Sequence, residues 1–294
     1  MKWKNLDIVA FDTETTGLDP FAGDRVIEVA LVVFRLDEEG AVAGQRVVSH
    51  LVNPGIPVPR KVTEITGIRD EDLAGKPPFA VIAEEVAELL SGSVGVAHNV
   101  PFDHAFLVRE FLLAGVPWRE PIATIDTVDV SMKHFPTAKG HKLSDVSRRL
   151  GVELVDAHRA HADAEACGRS FIELARKHAV PDELQALLDW ADAVGRPPDD
   201  GALDVDPFGL PVFTEGPFAG EPVQDHPLHL SWMTLAKVEE RGTWRFRYPE
   251  STRRWARRFL DVRAAGRARG APKSFRESDW ALDPCIADRR APAA

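Results

Sequence analysis

Hydrophobic and polar positions change over most sharply at residues 8–18. Ile8-Val9-Ala10-Phe11 is an apolar, partly β-branched run of the kind that forms a strand buried on both faces. It gives way to Asp12-Thr13-Glu14-Thr15-Thr16-Gly17-Leu18. Alternate strand residues face the same side, so Asp12 and Glu14 are expected to point together at one spot where the strand meets a polar turn. Gly17-Leu18-Asp19-Pro20 supplies that turn. Residues 25–34 and 45–52 read as a second and a third strand, turned near Glu38-Glu39-Gly40, and their short separations predict antiparallel neighbours. A Pro-punctuated loop leads to a short helix near 61–66. A better one follows at 78–90, with Val81, Ile82, Val86, Leu89 and Leu90 near helical spacing.

The second half alternates. Residues 94–99 predict a short buried strand, and the helix after it has Pro101 in its first turn. Residues 124–128 predict a fifth strand, with helices at 128–134, 142–150, 157–178 and 181–193. Strands first, then strand–helix alternation, predict an α/β fold: a mixed five-stranded sheet flanked by helices. Gln185-Ala186-Leu187-Leu188 belongs to an ordinary helix rather than to a partner-binding peptide.

Residues 195–227 carry seven of the 22 prolines with little periodic pattern. The expected division is therefore a main domain over 1–194, a Pro-rich linker over 195–227, and a small, basic, mostly helical module over 228–294 whose end is expected to be disordered. That module interleaves bases and rings in Trp244-Arg245-Phe246-Arg247-Tyr248 and in the stretch from Arg253 to Phe259. Such interleaving suits single-stranded nucleic acid. Trp255, Phe259 and Val262 at i, i+4 and i+7 equally predict a core stripe with arginines outside, the reading favoured for the aromatics.

Composition narrows the class. Hydrophobic residues at 44% and charged residues at 28% describe a globular protein. No apolar run is long enough for a membrane span, and Met-Lys-Trp-Lys has no apolar segment behind it. Cys167 and Cys285 are too few for a disulfide framework or a thiolate zinc site, so a cytoplasmic location without membrane contact is expected. The net charge of −10 conceals an asymmetry. From Trp232 onward there are 15 basic and 8 acidic residues, a local +7, against 21 basic and 38 acidic in the rest, −17. An acidic body with a basic end points to a polyanionic partner.

The chemistry rests on separated carboxylates. Adjacent like charges resist ionising together, and a hard divalent cation with oxygen ligands removes that conflict for Asp12 and Glu14. Asp103 falls one turn into the helix behind His98-Asn99, where strand ends and following helices line one crevice of an open sheet. In Asp156-Ala157-His158-Arg159-Ala160-His161-Ala162-Asp163, His158 and Asp163 are five residues apart, about 500° on a helix, and do not share a face. His158 is therefore expected on the preceding loop or first turn, over a site that Asp163 touches from the helix. His161 competes for that role, but Glu165 at i+4 offers it an ordinary surface pair.

Three such segments in this order resemble the DEDDh-type 3′→5′ exonucleases, the family of the proofreading epsilon subunit of bacterial replicative polymerase. The first motif is matched by Phe11 to Leu18, the second by Ala97-His98-Asn99-Val100-Pro101-Phe102-Asp103, and the third by His158 with Asp163. Further likeness runs through Val62 to Ile68, Ile125-Asp126-Thr127 and Lys142-Leu143-Ser144-Asp145. Thr66 departs from the histidine often found before Gly-Ile, and His161 from a commoner aliphatic residue.

The resemblance covers about residues 5 to 178 and implies an RNase H-like fold with two Mg²⁺ or Mn²⁺ ions. Asp12, Glu14, Asp103 and Asp163 would hold those ions, with His158 as general base. It further implies that backbone amides around Thr15 and Thr16 meet the terminal sugar, that Leu18 and Phe102 pack on the last bases, and that His98 and Asn99 line the site. The implied partner is a nucleic acid with a free 3′ end, single-stranded DNA foremost and RNA as the alternative, with a polymerase or repair complex as a further candidate. A non-catalytic end-binding or polymerase-tethering subunit is the competing class, and an intact set of acidic groups argues against it. Gly216-Pro217-Phe218-Ala219-Gly220, followed by Leu230-Ser231-Trp232-Met233, faintly resembles a small module appended to some members of the family.

Overall fold

A computed structural model describes residues 1–260 except 21, 120, 192, 194–196, 198–200, 206–210, 241, 242, 250, 254 and 258. The chain divides into two compact units, Met1–Arg196 with Pro207–Gly209, and Pro197–Asp206 with Leu210–Ala294.

The first unit is built on β1 (Ile8–Thr15), β2 (Val26–Leu36) and β3 (Val42–Leu51), followed by helices α1 (Arg60–Thr66), α2 (Asp70–Leu73) and α3 (Phe79–Leu90). Then come β4 (Val94–Ala97), α4 (Val100–Ala114), β5 (Ala123–Asp126), α5 (Thr127–His134), α6 (Leu143–Leu150), α7 (Ala160–Lys177) and α8 (Leu184–Ala191). The strands form one sheet in the order β3-β2-β1-β4-β5. β1 pairs antiparallel with β2 and parallel with β4; β2 pairs antiparallel with β3, and β4 parallel with β5.

Burial on both faces of β1 follows from its alternation. Ile8 and Ala10 join a core with Ala30, Val32, Phe34 and the inner faces of α5 to α8, including Val130, Val146, Phe171 and Leu187. Val9 and Phe11 join a second core with Val29, Leu31 and helices α3 and α4, through Phe79, Val86, Phe106 and Phe111. β1 is therefore the central strand, sealed by helices on either side, and its acidic end emerges between the two layers. The predicted strands and helices of this unit are all present. Helix α7 starts at Ala160 rather than 157, because Asp156 and His158 adopt left-handed backbone conformations that no α-helix continues.

The second unit contains β6 (Leu203–Val205) antiparallel to β7 (Pro211–Phe213), both within the stretch read as a linker. Helix α9 (Pro227–Leu235) is followed by a hairpin of β8 (Lys237–Glu240) and β9 (Thr243–Phe246), which the mostly helical reading misses. Four-residue strands that mix charged with apolar residues carry little periodic signal. Phe213, Val223, Leu230 and Met233 are buried. Trp255 is 8% exposed and stacks on Phe259, in keeping with the core reading; Val262 and the expected disordered end lie outside the described residues. Phe246 is by contrast exposed, with Arg253 3.6 Å from its ring centroid and Lys237 Nζ 5.1 Å away.

Candidate active site

Asp12 and Glu14 lie on the face of β1 that looks toward α7, the face of Ile8 and Ala10. Asp163 comes to them from the first turn of α7. One carboxylate oxygen from each of Asp12, Glu14 and Asp163 lies within 4.8 Å of the others, the span a bound cation requires. Helix α7 reaches this position because it packs closely on the sheet. A methyl group at Gly168 would overlap the Phe34 ring and the Ala10 side chain, so the contact accepts only glycine.

Asp103 arrives from the opposite layer, on α4, and is 2% exposed. Its Oδ1 accepts hydrogen bonds from the backbone nitrogen (2.9 Å) and hydroxyl (2.7 Å) of Thr13, which faces that layer. The start of α4 is fixed by Asp126 at the end of β5. Its two carboxylate oxygens accept from the backbone nitrogens of Asn99 (3.1 Å), Val100 (3.0 Å) and Val128 (2.8 Å), capping α4 and α5 together.

Electrostatics mark this spot as unusual. Burial, reinforced by Asp103, Asp163 and Glu14, holds the Asp12 carboxyl well above the ordinary range. Burial, then Asp163 and Glu28, push Glu14 up to about 8. Burial raises Asp103 to about 7 against the two Thr13 hydrogen bonds. Asp163 is raised by burial, opposed by the hydrogen bond from the His158 backbone. Carboxylates crowded in this way favour a divalent cation, which relieves their mutual repulsion. The all-oxygen donor set fits Mg²⁺ or Mn²⁺.

His158 stands on the loop ahead of α7, exposed, with φ of 69° and its backbone nitrogen donating to Asp163 Oδ2 (3.1 Å). His161 sits on the first turn of α7, lining a cavity of about 810 Å³ with Val155, Glu165 and Arg169. Its expected partner Glu165 is engaged by Arg169 Nε at 2.8 Å. His98 is half-buried at the end of β4, Nδ1 2.8 Å from Thr127 Oγ1, and burial lowers its pKa to about 4, so it is neutral near pH 7. Asn99 is exposed in a left-handed conformation ahead of α4.

Leu18 is 83% exposed beyond the end of β1. Phe102 is half-buried, its ring 5.0 Å from that of Phe106. Thr15 and Thr16 are buried. The Thr16 backbone nitrogen donates to Arg25 O (2.8 Å) and its hydroxyl accepts from the Arg25 nitrogen (2.9 Å), so its amide hydrogen is committed within the loop. Thr66, the departure before Gly67, accepts from the Ile68 nitrogen and donates to Val62 O, closing the end of α1.

Two groups went unnoticed in the sequence. Glu28 is 1% exposed and stands opposite Glu14 in the β1–β2 register. Arg159 grips it with Nε–Oε2 at 3.0 Å and Nη2–Oε1 at 2.9 Å. A glutamate in the midst of the apolar run 25–34 was the available signal, since a buried carboxylate demands a partner.

The exonuclease family model RNase_T matches residues 9–171. Among curated relatives, the 3′-5′ exonuclease DinG of Bacillus subtilis is 37% identical over 169 residues, 58% of this chain and 18% of the relative. A DNA polymerase III subunit epsilon-like protein of Rhodobacter capsulatus is 39% identical over 171 residues, 58% of this chain and 24% of the relative. This chain thus spans less than a quarter of either. The DNA polymerase III subunit epsilon of Treponema pallidum is 34% identical over 180 residues, 60% of this chain and 80% of that protein. Among solved structures, exonuclease I superposes with a TM-score of 0.51 at 21% identity, over 63% of this chain and 43% of that one. The nuclease domain of 3′hExo, described as a DEDDh family member bound to rAMP, gives 0.52 at 15% identity, over 60% of this chain and 95% of its own. Those identities speak for the shared fold alone, a mixed five-stranded sheet flanked by helices. With the matched region running from Val9 in β1 to Phe171 in α7 and including every carboxylate of the cluster, the chain belongs to the DEDDh 3′→5′ exonuclease family.

Proposed function

We propose that this protein is a divalent-metal-dependent phosphodiester hydrolase that removes 5′-mononucleotides from the 3′ end of nucleic acid, with single-stranded DNA as its substrate. The convergence of Asp12, Glu14 and Asp163 from two distant segments, with Asp103 buried alongside, carries the reading. Asp12, Glu14, Asp103 and Asp163 would hold two Mg²⁺ or Mn²⁺ ions. When bound, such ions neutralise charge on the scissile phosphate and make water a better nucleophile near neutral pH.

The remaining work falls to the chain. His158 takes the proton of the attacking water at an imidazole nitrogen, and its exposure on a loop leaves the ring free to reach solvent and substrate. Leu18 and Phe102 offer apolar surface to the last bases. Thr15, Thr16, His98 and Asn99 shape the crevice around the terminal nucleotide. Neutral His98 contributes hydrogen bonding rather than charge. Residues 1–194 serve as the exonuclease domain and 228–294 as a basic module contacting the strand, with 195–227 joining them. Relatives named as polymerase III epsilon subunits support DNA over RNA, and a polymerase or repair complex as partner. The two cysteines of the sequence support a cytoplasmic setting; among the described residues no helix is long and apolar enough to cross a membrane.

The test is digestion of 3′- and 5′-labelled single- and double-stranded DNA and RNA with Mg²⁺, Mn²⁺ or chelator. Expected are mononucleotides from the 3′ end of single-stranded DNA, abolished by chelator and by Asp12→Ala with the fold retained by circular dichroism. Undiminished digestion by Asp12→Ala overturns the site; faster digestion of RNA replaces the substrate.

A further inference from the structure

A glutamate at position 28 adds a carboxylate to a place already crowded with them. It sits directly across β1–β2 from Glu14, and water does not reach it. A fold that buries such a group beside a cation site must answer it with a cation of its own. Arg159 does so through a two-pronged hydrogen-bonded pair, the strongest geometry available to these side chains. The pair does more than neutralise. Glu28 Oε2 also accepts from the backbone nitrogen of Ala160 (3.2 Å), the first residue of α7. One carboxylate thereby fixes both the side chain of Arg159 and the backbone entering the helix.

Arg159 directly follows His158. The loop holding them contains Asp156 at φ of 57° and His158 at φ of 69°. Such conformations are uncommon outside glycine, though Asp and His adopt them more readily than most residues, and contacts with the surroundings help to hold them. Two restraints are visible: the His158 backbone nitrogen bound to Asp163 Oδ2, and Arg159 bound to Glu28. With Nε and Nη2 both spent on Glu28, the arginine fork is occupied within the protein rather than presented to a phosphate. We propose that Arg159, locked onto Glu28, is a positioning residue that holds the His158 loop over the carboxylate cluster. This assignment rests on the exonuclease reading above, in which His158 moves the proton.

A double-mutant cycle in the full chain tests it, with kcat and KM measured on a labelled single-stranded DNA in Mg²⁺. Arg159→Ala should lower kcat by about 10- to 100-fold, as loss of a group orienting a catalytic residue does, with KM nearly unchanged. In a His158→Ala background the same substitution should cost less than about twofold, because nothing remains to be positioned. Arg159→Lys should fall between, since lysine keeps the charge but loses the fork. Glu28→Gln should act like Arg159→Ala. In the metal-free protein, amide exchange over residues 156–160 should quicken in Arg159→Ala while the sheet stays protected.

Equal losses with and without His158 would overturn the proposal, as would an unchanged kcat. A rise in KM alone would overturn it in favour of a phosphate contact. If Arg159→Ala does not fold, Arg159→Lys and Glu28→Gln carry the cycle. A wild-type chain without nuclease activity would defeat the exonuclease reading, whereas unchanged exchange at 156–160 would defeat the clamp itself.

Discussion

Asp103 reaches the acidic strand β1 through Thr13: one carboxylate oxygen of Asp103 accepts from both the backbone nitrogen and the hydroxyl of Thr13. Thr13 lies between Asp12 and Glu14 in sequence but faces the α4 layer, so it receives the fourth acid from the side opposite Asp163. Thr13→Val keeps the shape and removes the hydroxyl. A buried hydrogen bond to a charged group contributes about 1.5–3 kcal/mol. We expect stability to fall by about that amount and turnover to fall with it, while Thr13→Ser retains most of both. Urea denaturation and single-turnover digestion measure the two effects. Equal stability of the Val and Ser variants would refute the role of the hydroxyl.

The crowded carboxylates give a pH dependence whose sign can be worked out. Glu14 titrates near 8 in the folded, metal-free protein against an ordinary 4.5, and Asp103 near 7 against 3.8. The folded state therefore binds these protons more tightly, so their contribution is fully present below about pH 4 and is lost as pH rises toward 8. His98, lowered to about 4 from 6.5, acts in the opposite direction but has finished titrating by about pH 7. Between pH 7 and 8.5 the metal-free melting temperature should therefore decline, and Glu14→Gln should flatten the decline. Mg²⁺ requires ionised ligands, so its stabilising increment should grow over the same range. Calorimetry with and without Mg²⁺ checks both, and an increment that does not change with pH would contradict the ligand assignment.

Gly168 sets the distance between α7 and the sheet, and hence the place of Asp163 five residues earlier. Gly168→Ala forces a methyl group against Phe34 and Ala10 and should cost about 1–3 kcal/mol, with activity falling beyond what the drop in stability explains. Gly44, on β3, has open space where a methyl would go, and Gly44→Ala should stay within about 0.5 kcal/mol. Chemical denaturation of the two variants compares them directly. Similar costs would show that the close approach does not matter.

The basic end of the chain should act through charge. Ending the chain near Gly195 should leave an active nuclease whose binding to single-stranded DNA is weaker and less sensitive to salt, since every phosphate the module no longer neutralises reduces the slope by about 0.7. Fluorescence anisotropy across a salt series gives that slope. Unchanged affinity and slope would mean that the module does not touch the strand.

Most of the first unit was legible because its signals are local. Apolar runs marked β1, β2 and β4, and helical spacing marked α3, since both periods are properties of short stretches of backbone. Even the loop placement of His158 followed from a spacing that a regular helix cannot satisfy. The β8–β9 hairpin was missed because its four-residue strands are too short to establish a period. Around Thr15 and Thr16, where backbone amides are expected to meet the terminal sugar, the Thr16 nitrogen donates to the Arg25 carbonyl, a partner nine residues away that spacing does not reveal.

Read along the chain alone, strand alternation puts Asp12 and Glu14 on one face, and family resemblance makes the distant Asp103, His158 and Asp163 candidates for the same site. Folding in three dimensions adds that Asp163 meets them from the α7 layer, that Asp103 comes through Thr13 from the other, and that Glu28 and Arg159 join beside the His158 loop. The reason is physical. Periodicity along a chain assigns each side chain to a face, but which residues meet across 100 or more positions is settled by close packing of helices on a sheet, a property no single segment holds.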